Sequence, residues 1–423
     1  MSAIMQRGAR ARKMAKMPEF IRSRMDDHFI NRLQNEWGGD HLLKGAVPQP
    51  GAIEMISNDY LGLSNHPRIV AAQVGSLQSG DKSVVMSGAF LKGDNNQRRF
   101  EQRCAEWTGY EAAILCQSGY AANVGLIQSI AGADIPVYVD MSGHASLWEG
   151  VNSANGRAIP FRHNDMKHLA RQVRQHGQGV ICVDSVYSTS GTICPLEELV
   201  ALAEETGCVL IVDESHSLGT HGPDGAGLVA AAGLQERVHF VTASLAKSFS
   251  GRAGLVLCSG EFADYFWVTS LPAIFSSCLL DHEILALDAT LELIQREHWR
   301  REAVQVNADF LRRGLAELGY NVTASQSQII ALEAGTERST QKLRMALEQR
   351  GVFGSVFCAP ATPKNRSLVR FSVNALLTLS QLQRVLAVCA EIRDEVDMWE
   401  WPSTRRLARV QPEIEMMEQR KRA

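Results

Sequence analysis

Residues 208–227 read CVLIVDESHSLGTHGPDGAG, and this stretch decides the fold. Its apolar run ends in Asp213, and a long glycine-rich turn follows. A strand that is apolar at nearly every position is typical of a parallel sheet covered on both faces by helices. Five other runs share this texture: EAAILCQ (111–117), PVYVD (136–140), GVICVDS (179–185), VHFVTAS (238–244) and GLVLCSG (254–260). Helical stretches such as PLEELVALAEETG (195–207) separate them, which predicts an α/β fold with a large, mostly parallel sheet.

The texture of the sequence changes after about residue 280. A helical period begins at Ile284, and two strand candidates follow at 327–335 and 367–373 with a helical stretch between them. This pattern predicts a smaller α+β C-terminal domain. The predicted divisions are an N-terminal arm with part of the small domain (1–56), a large domain (57–285), a small domain (286–400) and a charged tail (401–423).

Composition is that of a folded globular protein and excludes several function classes. Of 423 residues, 45% are apolar and 21% charged, and the net charge of -3 gives no support for nucleic-acid binding. No two of the nine cysteines lie closer than 12 residues, so no CxxC pair exists, which favours a reducing, cytoplasmic location. No apolar run reaches about 18 residues, so no membrane helix is expected. The first 17 residues hold five basic residues and no acid, as in a solvated tail or a short transit peptide.

Common catalytic and binding motifs are missing from the sequence. No GxGxxG follows the first strand, and neither a GxxxxGK[ST] nor a GxSxG pattern occurs. His216 and His221 lack HExxH spacing and have no cysteine partners, so no metal site is expected. These observations leave the strand ends as the place to look for chemistry, because ligands bind at the carboxyl ends of strands in open α/β sheets.

Asp213 closes an apolar strand, where a carboxylate is partly desolvated and needs a cation or donor. A helix cap or a salt bridge is the ordinary role for such a residue. The glycine-rich turn after it, which includes His216, has no purpose in building a core and favours a functional site.

Lys247 follows another strand, in VTASLAKSFSGRAG (241–254), among hydroxyl and glycine neighbours. Such a lysine is either solvated or held inside for imine chemistry, and hydroxyl groups around it suit a phosphate beside a Schiff base. The segment QSGYAAN (117–123) runs from a strand end into a helix N-terminus, which favours an anion. Ser118 could also simply cap that helix.

Five segments together resemble the α-oxoamine synthase family, whose members are fold-type I pyridoxal-phosphate (PLP) enzymes, over roughly residues 50–400. They are SNDYLGLSNHP (57–67), QSGYAANVGLI (117–127), HASLWEG (144–150), DESHSLGTHGP (213–223) and SLAKSF (244–249). The resemblance implies the cofactor pyridoxal 5'-phosphate and an enzyme that joins an amino acid to an acyl-coenzyme A (acyl-CoA) thioester. It also implies a homodimer.

The resemblance assigns roles around the cofactor ring by motif position. Lys247 would be the Schiff-base lysine, and Asp213 would face the pyridinium nitrogen and keep it protonated. His216 would hydrogen-bond the ring hydroxyl with help from Ser188, and His144 would stack on the ring face.

The resemblance likewise assigns the phosphate contacts. Ser118, Gly119 and Tyr120 would bind phosphate at the helix N-terminus, and Ser244 would add a hydroxyl. Ser277 would reach the phosphate from the partner subunit, which is the feature that makes the dimer obligate.

Within the family the chain looks most similar to the quorum-sensing autoinducer synthases, which make α-aminoketone precursors of α-hydroxyketone signals. The narrower match rests on VDSVYSTSGTICPL (183–196), TASLAKSFSGRAG (242–254), PAIFSS (272–277) and GVFGSVFCAPATPKN (351–365). Asn58 and Arg370 would contact the amino-acid substrate. Leu376 and Leu377 replace a polar stretch of the family pattern and are expected to make the substrate pocket apolar.

The expected reaction is a decarboxylating condensation of a medium-chain acyl-CoA with a small amino acid such as 2-aminobutyrate or S-adenosylmethionine. Two other enzyme functions stay open: a glycine- or alanine-using α-oxoamine synthase, and an aminotransferase of the same fold. A non-enzymatic module of this fold is disfavoured by the intact set of Lys247, Asp213 and His144.

Overall fold

The computed structural model describes residues 15–79 and 85–407. Residues 48–407, apart from the gap, form one unit that contains two β-sheets. The larger sheet has seven strands: β2 (Ala112–Cys116), β3 (Pro136–Asp140), β4 (Arg157–Phe161), β5 (Val180–Asp184), β6 (Val209–Asp213), β7 (Phe240–Ser244) and β8 (Gly254–Cys258). The spatial order is β2-β8-β7-β6-β5-β3-β4, and only β8 runs antiparallel to its neighbours. The predicted α/β class with a mostly parallel sheet is therefore confirmed.

Helices cover both faces of the large sheet, as its continuous apolar strands predict. On one face the core includes side chains of α4 (Gly119–Ile130), α5 (Ala145–Ser153) and α9 (Gly260–Thr269). The core of the other face includes side chains of α3 (Asn96–Thr108), α6 (Met166–His176), α7 (Leu196–Thr206) and α11 (Asp281–Arg296). Three more helices also contribute to these cores: α2 (Pro67–Gln78), α8 (Leu228–Ala231) and α10 (Leu271–Ile274). Alternate strand residues enter the two cores, so the sheet is buried on both sides.

The smaller sheet has four strands in the order β1-β10-β11-β9. These are β1 (Ile53–Met55), β9 (Ile329–Gly335), β10 (Val352–Phe357) and β11 (Ser367–Ser372). It packs with α12 (His298–Glu317), α13 (Glu337–Glu348) and α14 (Leu379–Glu391) around a separate apolar core. The chain before residue 57 thus contributes a strand to this sheet. The predicted boundary at 285/286 falls inside α11, whose apolar residues pack in the large-sheet core, and the domain boundaries stay predictions.

Residues 15–47 form a second unit, described by itself. It contains α1 (Glu19–Asp26), which continues as a π-helix over Asp27–Glu36. The ring of Trp37 contacts the rings of His28 and His41. Most of the predicted basic N-terminal tail, and residues 408–423 of the predicted charged C-terminal tail, lie outside the described residues.

All six strands predicted for the large sheet are present, and one was missed. Strand β4 contains Pro160 and lies at the sheet edge with alternating exposed positions, so it lacks the continuous apolar texture of the others. In the small sheet β1 and β10 were missed. Strand β1 has only three residues, and β10 is partly exposed along most of its length.

Candidate active site

The site lies at the carboxyl ends of the parallel strands. Strands β3, β5 and β6 end in Asp140, Asp184 and Asp213, and the last two are register partners. Beside them lies a cavity of about 190 Å³. Its lining residues are Ser118, Gly119, Tyr120, Asn123, His144, Ser146, Asp184, Ser188, Asp213, Ser215, His216, Ser244 and Lys247. We call this the inner cavity.

Asp213 is buried, and both of its carboxylate oxygens accept hydrogen bonds. The Ser215 backbone N–H donates to Oδ1 at 2.8 Å, which is the local cap that the ordinary role of this residue predicts. Oδ2 instead accepts at 2.6 Å from the side chain of Asn123, which belongs to helix α4. Asn123 is in turn held by the Thr242 hydroxyl, which donates to its Oδ1 at 2.6 Å. The carboxylate is therefore fixed by two elements while it lines the inner cavity.

Lys247 follows β7 in the loop 245–253 and lines the inner cavity. Burial lowers the pKa of its amine, and Arg370 acts in the same direction, while Asp213 and Asp184 oppose the shift. A lowered pKa increases the fraction of neutral amine, which is the nucleophilic form that imine chemistry requires. Lys247 is therefore not the fully solvated lysine that the sequence also allowed.

The N-terminus of α4 approaches the end of β7 very closely. A Cβ atom added to Gly119 would lie 2.6 Å from Cβ and 2.8 Å from Cα of Ser244, so only glycine fits there. The Ser118 hydroxyl caps the helix by accepting from the Ala121 N–H at 3.0 Å. The first intrahelical bond runs from the Ala122 N–H to the Ser118 carbonyl. The amides of Gly119 and Tyr120 come before it and are suited to an anion.

His144 caps helix α5 and lines the inner cavity with a neutral imidazole. Its ring Nδ1 lies 2.7 Å from the Ser146 hydroxyl, and its backbone N–H donates to Asp184 Oδ2 at 3.1 Å. Burial lowers the pKa of the imidazole, with Asp213 opposing and Lys247 adding to the shift. Ser146 also accepts from Asn123 at 2.8 Å. One hydrogen-bonded chain thus joins His144 to the Asp213 carboxylate.

Asp184 differs from its two neighbours in having few donors. Only the His144 N–H donates to it among the described residues, and its buried Oδ1 has no hydrogen-bond partner there. Burial raises the pKa of Asp184 well above its usual value, and the nearby carboxylates of Asp213 and Asp140 add to this effect. Asp140 by contrast accepts from Tyr187 and from two backbone amides.

His216 is buried and also lines the inner cavity. Its Nδ1 lies 2.7 Å from the Tyr60 hydroxyl, and its carbonyl accepts from Gln328 at 2.7 Å. Burial, with Lys247 and Arg370 nearby, lowers the pKa of His216 well below its usual value. Arg370 donates to Asn58 Oδ1 and to the Ser188 carbonyl, both at 2.8 Å.

A second cavity of about 760 Å³ adjoins the first, and we call it the outer cavity. Its size lies in the range of small-molecule sites. Five residues line both cavities: Tyr120, His144, Ser188, His216 and Lys247. The outer cavity alone is lined by Asn58, Met141, Ser142, Gly143, Ala145, Trp148, Glu149, Asn152, Thr189, Phe357, Pro360, Ala361, Thr362, Pro363 and Arg370.

Three predicted features lie outside both cavities. Ser277 is exposed, and its carbonyl accepts from Gln117 at 2.8 Å. The expectation that Leu376 and Leu377 make the substrate pocket apolar is wrong for these cavities. Leu377 is buried in the small-sheet core, and Leu376 lies over Gly62 with about half of its surface exposed. Side chains at the end of a strand or turn face either the core or the site, and sequence alone did not distinguish the two.

Several residues of the inner cavity were missed by sequence reasoning. Asp184 ends the run VICVD in the same way as Asp213 ends its own strand, so the strand-end argument could have found it. Asn123 lies one turn into α4 and Ser146 is the second residue of α5, and the sequence gives no signal for their contacts. Tyr60, inside SNDYLGLSNHP, lines neither cavity but contacts His216, and its neighbour Asn58 was predicted instead.

Residues 15–79 and 85–407 contain no cluster of three or more His, Cys, Asp or Glu side chains that could hold a metal ion. Within the same ranges, every helix is too short or too polar to span a bilayer.

Comparisons with known proteins give the family. The model described as "Aminotransferase class I and II" matches residues 50–388. The chain belongs to this family. It is 46% identical over 379 residues to the CAI-1 autoinducer synthase of Vibrio campbellii, covering 90% of this chain and 96% of that protein. It is 32% identical over 352 residues to the 8-amino-7-oxononanoate synthase of Trichlorobacter lovleyi, covering 82% and 90% of the two chains.

A solved structure shows the same fold. The serine palmitoyltransferase of S. paucimobilis, solved with bound PLP and myriocin, matches with a TM-score of 0.82 and 26% identity over 89% of this chain and 98% of that chain. The chain is therefore a fold-type I PLP-dependent acyltransferase of the α-oxoamine synthase family, and the resemblance, fold, enzyme class and cofactor predicted from sequence are confirmed.

The inner cavity fits PLP in its donor set. It offers an anion site at the N-terminus of α4, a carboxylate at Asp213 and an amine at Lys247, which match a phosphate, a pyridine nitrogen and an aldehyde. Because position 119 is glycine, no side chain stands between Ser244 and the N-terminus of α4, and the phosphate can approach the backbone amides there. When bound, PLP withdraws electrons from the α-carbon of an amino acid and so stabilises a carbanion there.

Proposed function

We propose that this chain condenses a medium-chain acyl-CoA with a small amino acid to give an α-aminoketone, the precursor of an α-hydroxyketone quorum-sensing autoinducer. One observation carries the proposal: Lys247 lines both cavities, so a single amine faces the cofactor-sized inner cavity and the substrate-sized outer cavity. The similarity to an autoinducer synthase along 90% of the chain supports the choice of product class.

For an amino acid such as 2-aminobutyrate, the reaction balances as follows. The C–H bond at the α-carbon breaks and its proton passes to Lys247; the α-carbon then forms a bond to the acyl carbonyl carbon, and the thioester C–S bond breaks to release coenzyme A, which leaves as a thiol after taking up a proton. The bond from the α-carbon to the carboxylate breaks to release CO₂, and a proton takes its place. S-Adenosylmethionine is the other amino substrate that we consider, and its product would retain a different side chain.

The residues of the inner cavity would hold the cofactor in place. Ser118, Gly119, Tyr120 and Ser244 would bind its phosphate, and Asp213 would hold the proton on its pyridine nitrogen. The Asn123 and Ser215 donors keep Asp213 aimed at the cavity.

Three residues would act around the cofactor ring. His144, with its ring oriented by Ser146, would cover one face, and His216 beside Ser188 would donate to the ring oxygen. Lys247, with its lowered pKa, would remove and return the proton at the substrate α-carbon.

Asn58 and Arg370 would bind the amino substrate. Arg370 lines the outer cavity with its guanidinium buried, and its Nε has no hydrogen-bond partner among the described residues. A buried guanidinium with a free N–H is suited to a carboxylate, which accepts in the plane of the fork. The amino substrate would therefore lie with its carboxylate at Arg370 and its α-carbon towards Lys247.

Apolar side chains of the outer cavity would select the acyl donor. Met141, Trp148, Phe357, Pro360 and Pro363 line it, and they replace Leu376 and Leu377 as the structural basis for this preference. Each buried methylene contributes about 0.8 kcal/mol, so four extra methylenes give roughly 3 kcal/mol, or about a hundredfold. We expect a medium-chain acyl-CoA to exceed acetyl- and succinyl-CoA by well over tenfold in kcat/KM.

A homodimer completes the proposal. Ser277, exposed in the single chain, would reach the phosphate of the partner subunit. It lies beside Phe275, of which 79% is exposed and which a subunit interface would cover. A cytoplasmic location stays a prediction from cysteine usage.

The test is a competition assay with purified enzyme, a panel of acyl-CoA donors and several amino acids, read by product mass. The proposal predicts an aminoketone from a medium-chain donor, with Lys247→Ala abolishing both the visible absorption of bound PLP and turnover. Succinyl- or acetyl-CoA with glycine as the best pair would instead support a glycine-using α-oxoamine synthase. Amino transfer without demand for an acyl donor would support an aminotransferase.

A further inference from the structure

The Tyr60 hydroxyl lies between His216, on the cofactor side of the site, and Asn58, on the substrate side. The side chain of Tyr60 is fully buried, and its ring packs against Val186 and Ile329. Its hydroxyl oxygen lies 2.7 Å from Nδ1 of His216 and 3.3 Å from Oδ1 of Asn58. The hydroxyl has one proton and can donate to only one of these two atoms.

The distances decide where that proton goes. The 2.7 Å separation from Nδ1 is that of a strong hydrogen bond, whereas 3.3 Å exceeds the usual range for a hydroxyl donating to oxygen. Asn58 Oδ1 also accepts from Arg370 at 2.8 Å, so it keeps a donor when the Tyr60 proton points to His216. The Tyr60 hydroxyl therefore donates to His216.

Charge states agree with this direction. Burial raises the pKa of Tyr60 to about 12, so the phenol keeps its proton at neutral pH. The pKa of His216 is well below its usual value because the ring is buried, so the imidazole carries a single proton. With Nδ1 accepting from Tyr60, that proton is on Nε2, the ring nitrogen left for the cavities that His216 lines.

We propose that Tyr60 is a positioning residue that fixes His216 as the Nε2–H tautomer, so that His216 donates a hydrogen bond to the bound cofactor. The inference rests on the proposed function, because the acceptor is the cofactor oxygen. It adds a residue that lies between the substrate side and the cofactor side, because the Tyr60 hydroxyl donates to His216 and lies near Asn58 Oδ1 without donating to it.

A double-mutant cycle on the full-length enzyme tests this role. Tyr60→Phe keeps the ring in its apolar surroundings and removes only the hydroxyl. We expect it to weaken PLP binding about fivefold, the equivalent of about 1 kcal/mol, and to shift the visible absorption maximum of bound PLP. In a His216→Gln background the same change should alter PLP affinity by less than about twofold and leave the maximum in place, because the residue through which Tyr60 acts is gone.

Two further variants sharpen the result. Tyr320→Phe is the matched control, since Tyr320 is equally buried and donates to the Cys389 carbonyl at 2.9 Å in the small-sheet core. It should leave PLP affinity and absorption unchanged. Asn58→Ala should preserve the absorption maximum without amino substrate, because Tyr60 donates to His216 and not to Asn58.

Three outcomes would overturn the inference. The first is an equal loss of PLP affinity from Tyr60→Phe in both backgrounds, which would mean a general packing role. The second is no effect in either background. The third is a spectrum of Asn58→Ala that copies Tyr60→Phe. A wild-type protein that binds no PLP would instead refute the proposed function itself, and the two failures are thereby distinguished.

Discussion

Replacing Asn123 by alanine should destabilise the large sheet more than any change to a residue singled out from sequence, because this one amide holds three neighbours. It donates to the Asp213 carboxylate and to the Ser146 hydroxyl, and it accepts from Thr242. A hydrogen bond to a charged group is worth about 1.5–3 kcal/mol, and each neutral one about 0.5–1.5 kcal/mol. Ser146 would keep its contact with His144, but Asp213 Oδ2 and the Thr242 hydroxyl would lose these partners in a buried site, so we expect a loss of about 4 kcal/mol.

The assay is thermal unfolding of the cofactor-free protein, read by circular dichroism at one scan rate. At an unfolding entropy of roughly 2.1 cal/mol/K per residue, a unit of this size shifts its Tm by about 1.3 °C per kcal/mol, so the expected drop in Tm is about 5 °C. Ser129→Ala is the matched control, since Ser129 is buried in the same helix but donates only to the Gly125 carbonyl. In an Asp213→Asn background the loss from Asn123→Ala should shrink, because the charged acceptor is gone. Equal Tm shifts for Asn123→Ala and Ser129→Ala would refute the reasoning.

Three other predictions concern charge and assembly. Asp213→Asn should retain some PLP but lose most activity, because the pyridine nitrogen is no longer held protonated; near-normal turnover would reduce the residue to a cap. Burial raises the folded-state pKa of Asp184, so the folded protein holds this proton more tightly than the unfolded chain does. The cofactor-free protein should therefore lose stability as the pH rises above about 4, by up to about 1.4 kcal/mol per pH unit, until the pH exceeds the raised pKa. Asp184→Asn should flatten this dependence in thermal unfolding at several pH values, and an unchanged profile would contradict it. Ser277→Ala should weaken PLP binding in the dimer, and a fully active monomer by light scattering would rule out the cross-subunit role.

The large sheet could be predicted because its strands are buried on both faces and so contain almost no polar residues. Strand β4 escaped because it lies at the edge, where Pro160 and exposed positions are tolerated. Strand β1 escaped because three residues are too few to show a period. The limits of prediction were thus set by how much of each strand the core covers.

Within the site, residues directly after a strand could be found and those reached through space could not. Asp213 and Lys247 follow apolar runs, so topology alone brings them to one edge. Asn123 contacts a residue 90 positions away, and Tyr60 contacts one 156 positions away. Such pairs depend on how helix α4 and the chain after β1 pack onto the sheet. Leu377 shows the converse error, since an apolar residue near a site can belong to the core.

The division of the site into two cavities has a consequence for how the enzyme can diversify. Several residues of the outer cavity, such as Met141, Trp148 and Phe357, do not line the inner cavity. Mutations of these residues can alter which substrates bind, while the residues of the inner cavity stay the same. The five residues common to both cavities cannot be changed in this way, because each of them faces both the cofactor-sized cavity and the substrate-sized cavity. An engineer seeking new ketones from this scaffold would begin with the residues that line only the outer cavity and leave the five shared residues unchanged.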